Sequence, residues 1–245
     1  MPAMPLHTIL FLDIETVSQY AAFEELPEDW KALWRKKAES MPTGRQQQAD
    51  KPPATPEELY ERAAIYSEFG KIICISCGII SGSGAEKKIV LKSFSGDEEK
   101  PLLSEFCELL HRWSADGNKH LCAHNGKDFD FPYLCRRMII NGLTIPSILN
   151  LSGKKPWEIP HIDTLELWKF GEYKNFISLN LLAHVLGIPT PKDDIDGSQV
   201  GQVYWSRHDL SRIVTYCQKD VVTVAQVWLR MNGETPIKQE NIEIK

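Results

Sequence analysis

Two acidic residues stand at the end of an apolar run near the start of the chain. The run from Thr8 to Ile14 predicts a buried strand, and Asp13 and Glu15 occupy alternate positions at its end. Alternate residues of a strand point to one face, so the two carboxylates lie side by side while Ile14 faces the core. Two carboxylates this close repel each other unless a cation lies between them. The pair is a candidate metal site, although acids at strand ends also occur without a metal.

A second polar group separates a predicted strand from a predicted helix. The sequence from His124 to Leu134 reads HNGKDFDFPYL. Asp128 and Asp130 could be ligands of a cation, or they could simply complement the positive end of the helix dipole. Taken alone, this acid pair is more typical of a helix start than of catalysis.

A third group is Tyr216-Cys217-Gln218-Lys219-Asp220 on a predicted helix. Residues four apart lie one turn apart on one helix face, so the Tyr216 phenol and the Asp220 carboxylate project together. Taken alone, the pair is more typical of an ordinary tyrosine and a solvated aspartate than of a functional site. The order of the three groups is more specific than any one of them: D-x-E, then N-x-x-x-F-D, then Y-x-x-x-D.

This order resembles the DEDD superfamily of 3′–5′ exonucleases, and most of all the proofreading exonuclease domain of family B DNA polymerases and its stand-alone relatives. The positions that match are Asp13 and Glu15 in the first motif, Asn125, Phe129 and Asp130 in the second, and Tyr216 and Asp220 in the third. The histidine branch of the superfamily has His five residues before its last aspartate, where this chain has Thr215. The tyrosine branch is therefore indicated. The likeness covers most of the chain from Thr8 to Leu229, and the rest is too short for a polymerase domain.

The resemblance implies a metal-dependent hydrolysis of phosphodiester bonds. Two Mg²⁺ or Mn²⁺ ions would activate a water and stabilise the leaving oxygen, and carboxylates are the ligands these ions prefer. The resemblance assigns the bridging position between the ions to Asp13, one ion to Glu15 and Asp220, and the other to Asp130. A phenol with a pKa near 10 is a poor base at neutral pH, so Tyr216 is expected to orient the attacking water.

Further residues are expected on the substrate side of the same site. By resemblance, Asn125 contacts sugar or phosphate, Phe129 contacts the terminal nucleotide, and the Thr16 backbone contacts the 3′ end. Core packing explains Phe129 equally well, and Asp163 is expected to be structural. Trp157, which follows two lysines, could stack on a base or pack against the protein.

The expected partner is a single-stranded nucleic acid 3′ end, and the likeness to DNA polymerases favours DNA over RNA. An RNA-trimming exonuclease of the same fold stays open, because no residue here decides how the 2′-hydroxyl is read. A non-catalytic binding module would be expected to lack one of the acids, and all four are present. A structure-selective endonuclease fits the third motif less well.

The predicted elements alternate along the chain in a way that indicates a mixed α/β sheet with helices on both faces. The resemblance specifies a ribonuclease H-like sheet. We predict one domain over residues 1–232, with a helical and flexible insertion at about 18–67, and a polar tail at 233–245. Strands are expected at 8–14, 72–80, 88–94, 120–123 and 161–163, a flexible loop at 41–57, and helices at 27–40, 57–69, 101–113, 130–141, 164–170, 179–186 and 208–231.

Composition excludes several classes of protein. The 245 residues are 42% apolar and 25% charged, with a net charge of −5, which argues against a membrane-binding surface or a basic surface that grips duplex DNA. Binding at the end of a nucleic acid strand requires few phosphates to be neutralised, so the net charge is compatible with a protein that acts on strand ends. The sequence has no apolar run long enough for a membrane helix and no secretory signal pattern, which predicts a soluble, cytoplasmic protein. Cys74 and Cys77 spell C-x-x-C, but they lie on a predicted strand and point to opposite faces, so buried thiols are expected rather than a metal half-site.

Overall fold

Six strands form one mixed sheet in the computed structural model, which describes residues 4–41, 54–173, 176–189 and 195–245. The strands are β1 (Ile9–Ser18), β2 (Gly70–Ser81), β3 (Lys88–Ser95), β4 (His120–Ala123), β5 (Ile162–Asp163) and β6 (Ile242–Ile244). Their order across the sheet is β5-β4-β1-β2-β3-β6. β1, β2 and β3 are antiparallel neighbours, whereas β4 runs parallel to β1, β5 parallel to β4, and β6 parallel to β3. The predicted ribonuclease H-like mixed sheet is confirmed.

Helices cover both faces of this sheet. They are α1 (Glu28–Glu39), α2 (Pro56–Leu59), α3 (Glu99–Trp113), α4 (Asp130–Ile140), α5 (Thr164–Lys169), α6 (Leu179–Val185), α7 (Val200–Arg207) and α8 (Leu210–Met231). On β1, Leu10, Leu12 and Ile14 pack with α3 and α4. Ile9 and Phe11 pack with α8 on the opposite face. Because side chains alternate along a strand, Asp13 and Glu15 belong to the α8 face.

A β-bulge lies beside these two acids. Glu15 is paired with Cys74 on β2, but the next residue, Thr16, is paired with Ile72, so Ile73 is an extra residue. A bulge of this kind bends the strand and changes the direction of nearby side chains. Beyond it, the Thr16 hydroxyl donates to the carbonyl of Ala64 at 3.0 Å, and the insertion is thereby joined to the end of β1.

The insertion between β1 and β2 has a small core of its own. Its buried members are Phe23, Leu26, Trp34, Met41, Tyr60, Ala63 and Phe69. The predicted helix at 27–40 is present as α1, whereas the predicted helix at 57–69 is only α2 followed by 3₁₀ turns from Tyr60 to Ile65. Tyr60 and Ala63 both enter the aromatic core, and three-residue spacing on one side suits a 3₁₀ turn. Most of the predicted loop at 41–57 lies outside the described residues.

The C-terminal residues join the sheet, which corrects the polar tail predicted for 233–245. Ile237 is buried, and its backbone exchanges two hydrogen bonds with the Gln226 side chain at 2.7 and 3.0 Å. Ile242 to Ile244 then pair with Ile89 to Leu91. Three isoleucines among polar residues are too sparse a pattern to indicate a strand from sequence. The limits of the domain itself, 1–232, stay a prediction.

The short helix α7 was also not predicted. Val200, Val203 and Tyr204 pack with Val17 and other residues near the end of β1. Within the described ranges, no helix is both long and apolar enough to cross a lipid bilayer.

Candidate active site

The first and third motifs meet where α8 crosses β1. One possible ligand atom from each of Asp13, Glu15 and Cys217 lies within 4.8 Å of the other two. The Cys217 thiol is 3.4 Å from both the carbonyl oxygen and the Oδ2 of Asp13. Since Cys217 is flanked on α8 by Tyr216 and Asp220, these contacts dock the third motif on the strand that carries the first.

Asp130 reaches the same place from the start of α4. Its carboxylate lies close to its own backbone N–H and to the backbone N–H of Ile14, the residue between Asp13 and Glu15. β4 pairs only with residues 9–11 of β1, so the far end of β1 has room for a side chain on that side. The second motif therefore joins the first at the end of the strand, and Asp130 is buried there.

Burial and mutual repulsion make the charged forms of these acids unfavourable. Burial is the main cause that raises the pKa of Asp13 and of Glu15 well above the usual range, and the neighbouring carboxylates raise both further. Burial likewise raises the pKa of Asp130 to about 7. Carboxylates held together in this way are compatible with one another when cations share them.

The Tyr216 hydroxyl lies close to the carboxylate of Asp220, one turn further along α8. Burial, followed by the charges of Asp220, Glu15 and Asp13, raises the pKa of the phenol above its usual value. Tyr216 is therefore neutral at physiological pH, which suits a group that orients a ligand by hydrogen bonding and does not suit a base.

The site fits hard divalent cations. Its donors are the carboxylates of Asp13, Glu15, Asp130 and Asp220, and oxygen ligands of this kind suit Mg²⁺ and Mn²⁺. Cys217 is a softer group. Burial is the main cause that raises the pKa of its thiol well above the usual range, so the neutral thiol serves as a hydrogen-bond donor to Asp13.

Cys217 has a contact that sequence reasoning did not assign. Its Sγ also contacts Cys74, which lies opposite Glu15 on β2. Cys77, in contrast, lies in the core on the other face of the sheet, as strand alternation predicts. The spacing of Cys217 and Asp220, three residues apart on a helix, was the available signal that both face β1.

Asp163 holds the loop that begins the second motif. Its Oδ1 accepts the backbone N–H of Asn125 at 2.9 Å, and its Oδ2 accepts that of Lys127 at 3.0 Å. Its Oδ1 also accepts the N–H of Leu165 at the start of α5. Asn125 has a φ of 62°, a conformation that Asn tolerates better than most residues. The structural role expected of Asp163 is thus the support of Asn125.

His124 supports the same loop and was not identified from sequence. Its Nδ1 lies 2.9 Å from the Thr164 hydroxyl, and its Nε2 lies 2.9 Å from the carbonyl oxygen of Ile177. Burial lowers the pKa of His124, so the ring is neutral and donates to Ile177 from Nε2. The residue immediately before Asn125 therefore connects the site to the segment after α5.

The other residues predicted to contact the substrate are Phe129, Thr16 and Trp157, and each has a different environment. Phe129 is half-buried and packs on Tyr133 with ring centroids 5.2 Å apart, so packing accounts for one side of its ring. Thr16 directs its side chain to the carbonyl of Ala64, and the expected contact of its backbone with the 3′ end stays a prediction. Trp157 precedes β5, near Pro160, whose carbonyl oxygen is 2.7 Å from His120 at the start of β4. The Trp157 side chain is exposed, and its stacking on a base stays a prediction.

Comparison with known proteins identifies a family. Residues 65–241 match the model of a family described as a predicted 3′–5′ exonuclease related to the exonuclease domain of the family B polymerase PolB. That range contains the second and third motifs, whereas Asp13 and Glu15 precede it.

One solved structure with a related shape is the family B DNA polymerase from the hyperthermophilic archaeon Pyrobaculum calidifontis. The TM-score is 0.49 and the sequence identity 13%, over 95% of this chain and 26% of the polymerase. The chain thus spans about a quarter of the length of that polymerase. No curated protein matches the chain.

Proposed function

The chain belongs to the family of predicted 3′–5′ exonucleases related to the exonuclease domain of family B DNA polymerases, and we propose that it hydrolyses single-stranded DNA from the 3′ end with two divalent ions. One observation carries the proposal. Asp13 and Glu15 precede the part of the chain that matches the family, yet they lie beside Asp130 and the helix that carries Tyr216 and Asp220, and Glu15 and Asp130 are buried there. A complete set of four acids supports catalysis over binding alone.

The proposed roles are those that the resemblance to the exonuclease family implies, and the position of each side chain is compatible with them. Asp13 lies among the other acids: the Cys217 thiol donates to its Oδ2, and the charges of Glu15, Asp220 and Asp130 all raise its pKa. Such a central carboxylate is suited to bridge two ions. Glu15 and Asp220 would hold one ion and Asp130 the other, and the bound ions would supply an activated water and stabilise the leaving oxygen. Tyr216, whose hydroxyl lies near Asp220, would orient that water.

The substrate side of the proposal rests on the loop that Asp163 supports. Asn125 is held by its backbone, so its side chain can serve for a contact to sugar or phosphate. Phe129 presents the part of its ring that Tyr133 leaves uncovered. DNA is proposed over RNA because the family is related to the exonuclease domain of a DNA polymerase.

The proposal is tested by digestion of 5′-labelled strands with Mg²⁺. We expect single-stranded DNA to give a ladder that shortens from the 3′ end, with slower cleavage of duplex and of RNA of the same sequence, and no cleavage in EDTA. A strand whose 3′-terminal linkages are phosphorothioates serves as the polarity control and should resist. Internal cuts, shortening from the 5′ end, or inert DNA would contradict the proposal, and faster cleavage of RNA would reassign the substrate.

A further inference from the structure

A small cavity lies between the start of β2 and the short helix α7. Its volume is about 360 Å³, which is near the lower end of the range for small-ligand pockets. Tyr204 and Trp205 of α7 line it, with their ring centroids 4.9 Å apart. The remaining lining residues are Lys71, Asp97, His208 and Leu210. Two aromatic rings and a lysine therefore meet in one cavity.

The cavity lies on the same face of the sheet as Asp13 and Glu15. Lys71 is paired with Val17 of β1, and Val17, Tyr204 and Tyr216 belong to one hydrophobic cluster. Val17 is two residues after Glu15, so their side chains share a face and their Cα atoms are about 7 Å apart. Paired Cα atoms lie about 5 Å apart. The Cα of Lys71 is therefore no more than about 12 Å from that of Glu15.

Lys71 brings a positive charge to this cavity. Its Nζ lies 5.0 Å from the centroid of the Tyr204 ring and 5.1 Å from that of Trp205. The same Nζ donates to the Tyr204 hydroxyl at 3.0 Å and to the backbone carbonyl of Asp97 at 3.2 Å. The Asp97 carboxylate accepts the Tyr204 hydroxyl at 2.8 Å. The ammonium is thus held by two uncharged oxygens, and its charge can serve an anionic ligand.

Trp205 adds a hydrogen-bond donor to the residues that line the cavity. Its indole Nε1 is buried, and no acceptor within the described part of the chain bonds to it. A buried donor without an acceptor costs free energy, so such donors are uncommon in folded proteins. An oxygen of a ligand in the cavity could accept this N–H. The indole N–H and the Lys71 ammonium therefore both favour a ligand that carries anionic oxygens.

We propose that this cavity binds one nucleotide of the substrate strand beside the end that is cleaved, with its phosphate near Lys71 and the Trp205 N–H and its base against the aromatic side chains. The inference rests on the proposed function and adds a second binding position on the strand. A phosphate supplies anionic oxygens for the two donors, and a base supplies a flat surface for the rings. The position on the face of the sheet that carries Glu15 favours the substrate strand over an unrelated anion.

The test compares Lys71→Met with Lys71→Arg, which keeps the charge, and with the control Lys92→Met. Lys92 also lies beside an aromatic ring, with its Nζ 4.7 Å from the centroid of Phe94. It is paired with Cys77, which packs on the opposite face of the sheet. Binding of a fluorescent thymidine strand of about twelve nucleotides is measured by anisotropy in EDTA between about 50 and 200 mM KCl. The kcat/KM on the same strand with Mg²⁺ is measured over the same range of KCl.

We expect Lys71→Met to lose one phosphate contact. The slope of log K against log salt for a single strand then falls in magnitude by about 0.7, and affinity at about 50 mM KCl falls roughly five- to tenfold. Lys71→Arg should keep most of the slope, and Lys92→Met should match the parent in slope and affinity. Melting temperatures report any loss of fold.

A second variant, Trp205→Phe, tests the cavity without a change of charge. The phenyl ring keeps part of the packing and the N–H is lost, so binding should weaken about threefold or more. The salt slope should stay at the parent's value. This variant also decides the matter if Lys71→Met does not fold, because Lys71 connects β2 to α7 and to Asp97.

The outcomes separate this inference from the proposed function. A parent that neither binds nor cleaves any single strand removes the proposed function. A parent that cleaves DNA, with a folded Lys71→Met protein that has the parent's slope and affinity, overturns the role of the cavity alone. An equal change of slope in Lys92→Met would also overturn it, because the effect would then be a general one of net charge. Binding by Trp205→Phe at the parent's affinity would contradict the contact with the indole N–H.

Discussion

The hydroxyl of Tyr216 lies close to Asp220, and burial together with the neighbouring carboxylates raises the pKa of the phenol. This arrangement leaves the phenol able to donate or accept a hydrogen bond and unable to act as a base near neutral pH. In the proposed mechanism, ions bound by the acids would supply the larger electrostatic effect. At the scale of single residues, the carboxylates would bind the ions, whereas Tyr216 would orient the attacking water.

The first prediction concerns that hydroxyl. Tyr216→Phe keeps the ring and its packing, so we expect KM to change little and kcat to fall about 10²-fold, the lower end of what one positioned hydrogen-bonding group contributes. Steady-state kinetics on a labelled strand measure this, with Asp220→Asn for comparison. A variant as active as the parent would remove Tyr216 from the site, and one as inactive as Asp220→Asn would require a larger role for the phenol.

The second prediction concerns the stability of the metal-free protein. Burial raises the pKa of Asp130 from 3.8 to about 7, so between these values the folded protein binds a proton that the unfolded chain has released. Stability therefore falls as pH rises through this window and levels off above it. Melting temperatures in EDTA from about pH 5 to pH 8 should show the fall, and Mg²⁺ should reduce it because ions favour the deprotonated acids.

Asp130→Asn provides the control for this pH dependence. The amide cannot titrate, so the fall in melting temperature should be shallower than in the parent, with the remainder due to Asp13 and Glu15, whose pKa values shift in the same direction. Equal slopes in the two proteins would show that Asp130 does not carry a raised pKa.

Sequence reasoning identified the acids but not the residues that support them. Asp13, Glu15 and Asp220 could be placed because the spacing along a strand and along a helix determines which side chains share a face. The roles of His124 and Cys217 depend on contacts with Ile177, Cys74 and Asp13. Those partners are distant in the chain and become neighbours only when the sheet has formed.

At the scale of elements, the turn from β4 into α4 positions both Asn125 and Asp130. Gly126 lies inside this turn, and a Cβ there would be 2.5 Å from the Cβ of Ala123 and 3.1 Å from the ring of Phe131. Ala123 ends β4 and Phe131 belongs to α4, so neither can easily move. The turn is closed only because position 126 has no side chain.

The third prediction is that Gly126→Ala displaces this turn. We expect a loss of stability of about 1–3 kcal/mol, typical of overpacking, and a fall of about tenfold or more in kcat/KM, since small displacements of catalytic groups are costly. The control is Gly201→Ala, because a Cβ on α7 at that position meets open space. It should leave activity unchanged and raise stability by up to about 1 kcal/mol. Similar effects in both variants would contradict the close approach at Gly126.

Most strands and helices that position the acids could be predicted from periodicity. β4 was predicted at its exact bounds and α8 to within two residues, because each has a clear apolar period and a turn or cap beside it. β6 has three residues, two of them isoleucine. It pairs with β3, from which it is separated by most of the chain. Pairing of this kind depends on long-range contacts that a local pattern does not contain.

At the scale of the whole molecule, the C-terminal segment closes the sheet on the side away from the acids. Ile237 is buried against the α8 side of the sheet, whereas Ile244 is 64% exposed. The fourth prediction is that Ile237→Ala lowers the free energy of unfolding by about 2–4 kcal/mol, while Ile244→Ala changes it by less than about 0.5 kcal/mol. Denaturant titration measures both, and equal effects would contradict the burial of Ile237.

Part of the candidate active site lies outside the region that matches the family model. Residues 65–241 contain Asn125, Asp130, Tyr216 and Asp220, and the first strand supplies the remaining two acids. β1 lies at the centre of the sheet, between β2 and β4, so its acids are held by the core itself. The cytoplasmic location stays a prediction from sequence.

The central claim is that Asp13 joins the other acids in one hydrolytic site, and a single pair of variants tests it most directly. Asp13→Asn keeps the shape and removes the charge, while Asp128→Asn makes the same change at an exposed acid two residues before Asp130. On 5′-labelled single-stranded DNA with Mg²⁺, we expect Asp13→Asn to lose at least about 10³-fold in rate with an unchanged or higher melting temperature, because a charged ligand is lost and repulsion is relieved. Asp128→Asn should cleave at the parent's rate. A folded Asp13→Asn protein that cleaves within tenfold of the parent would contradict the claim.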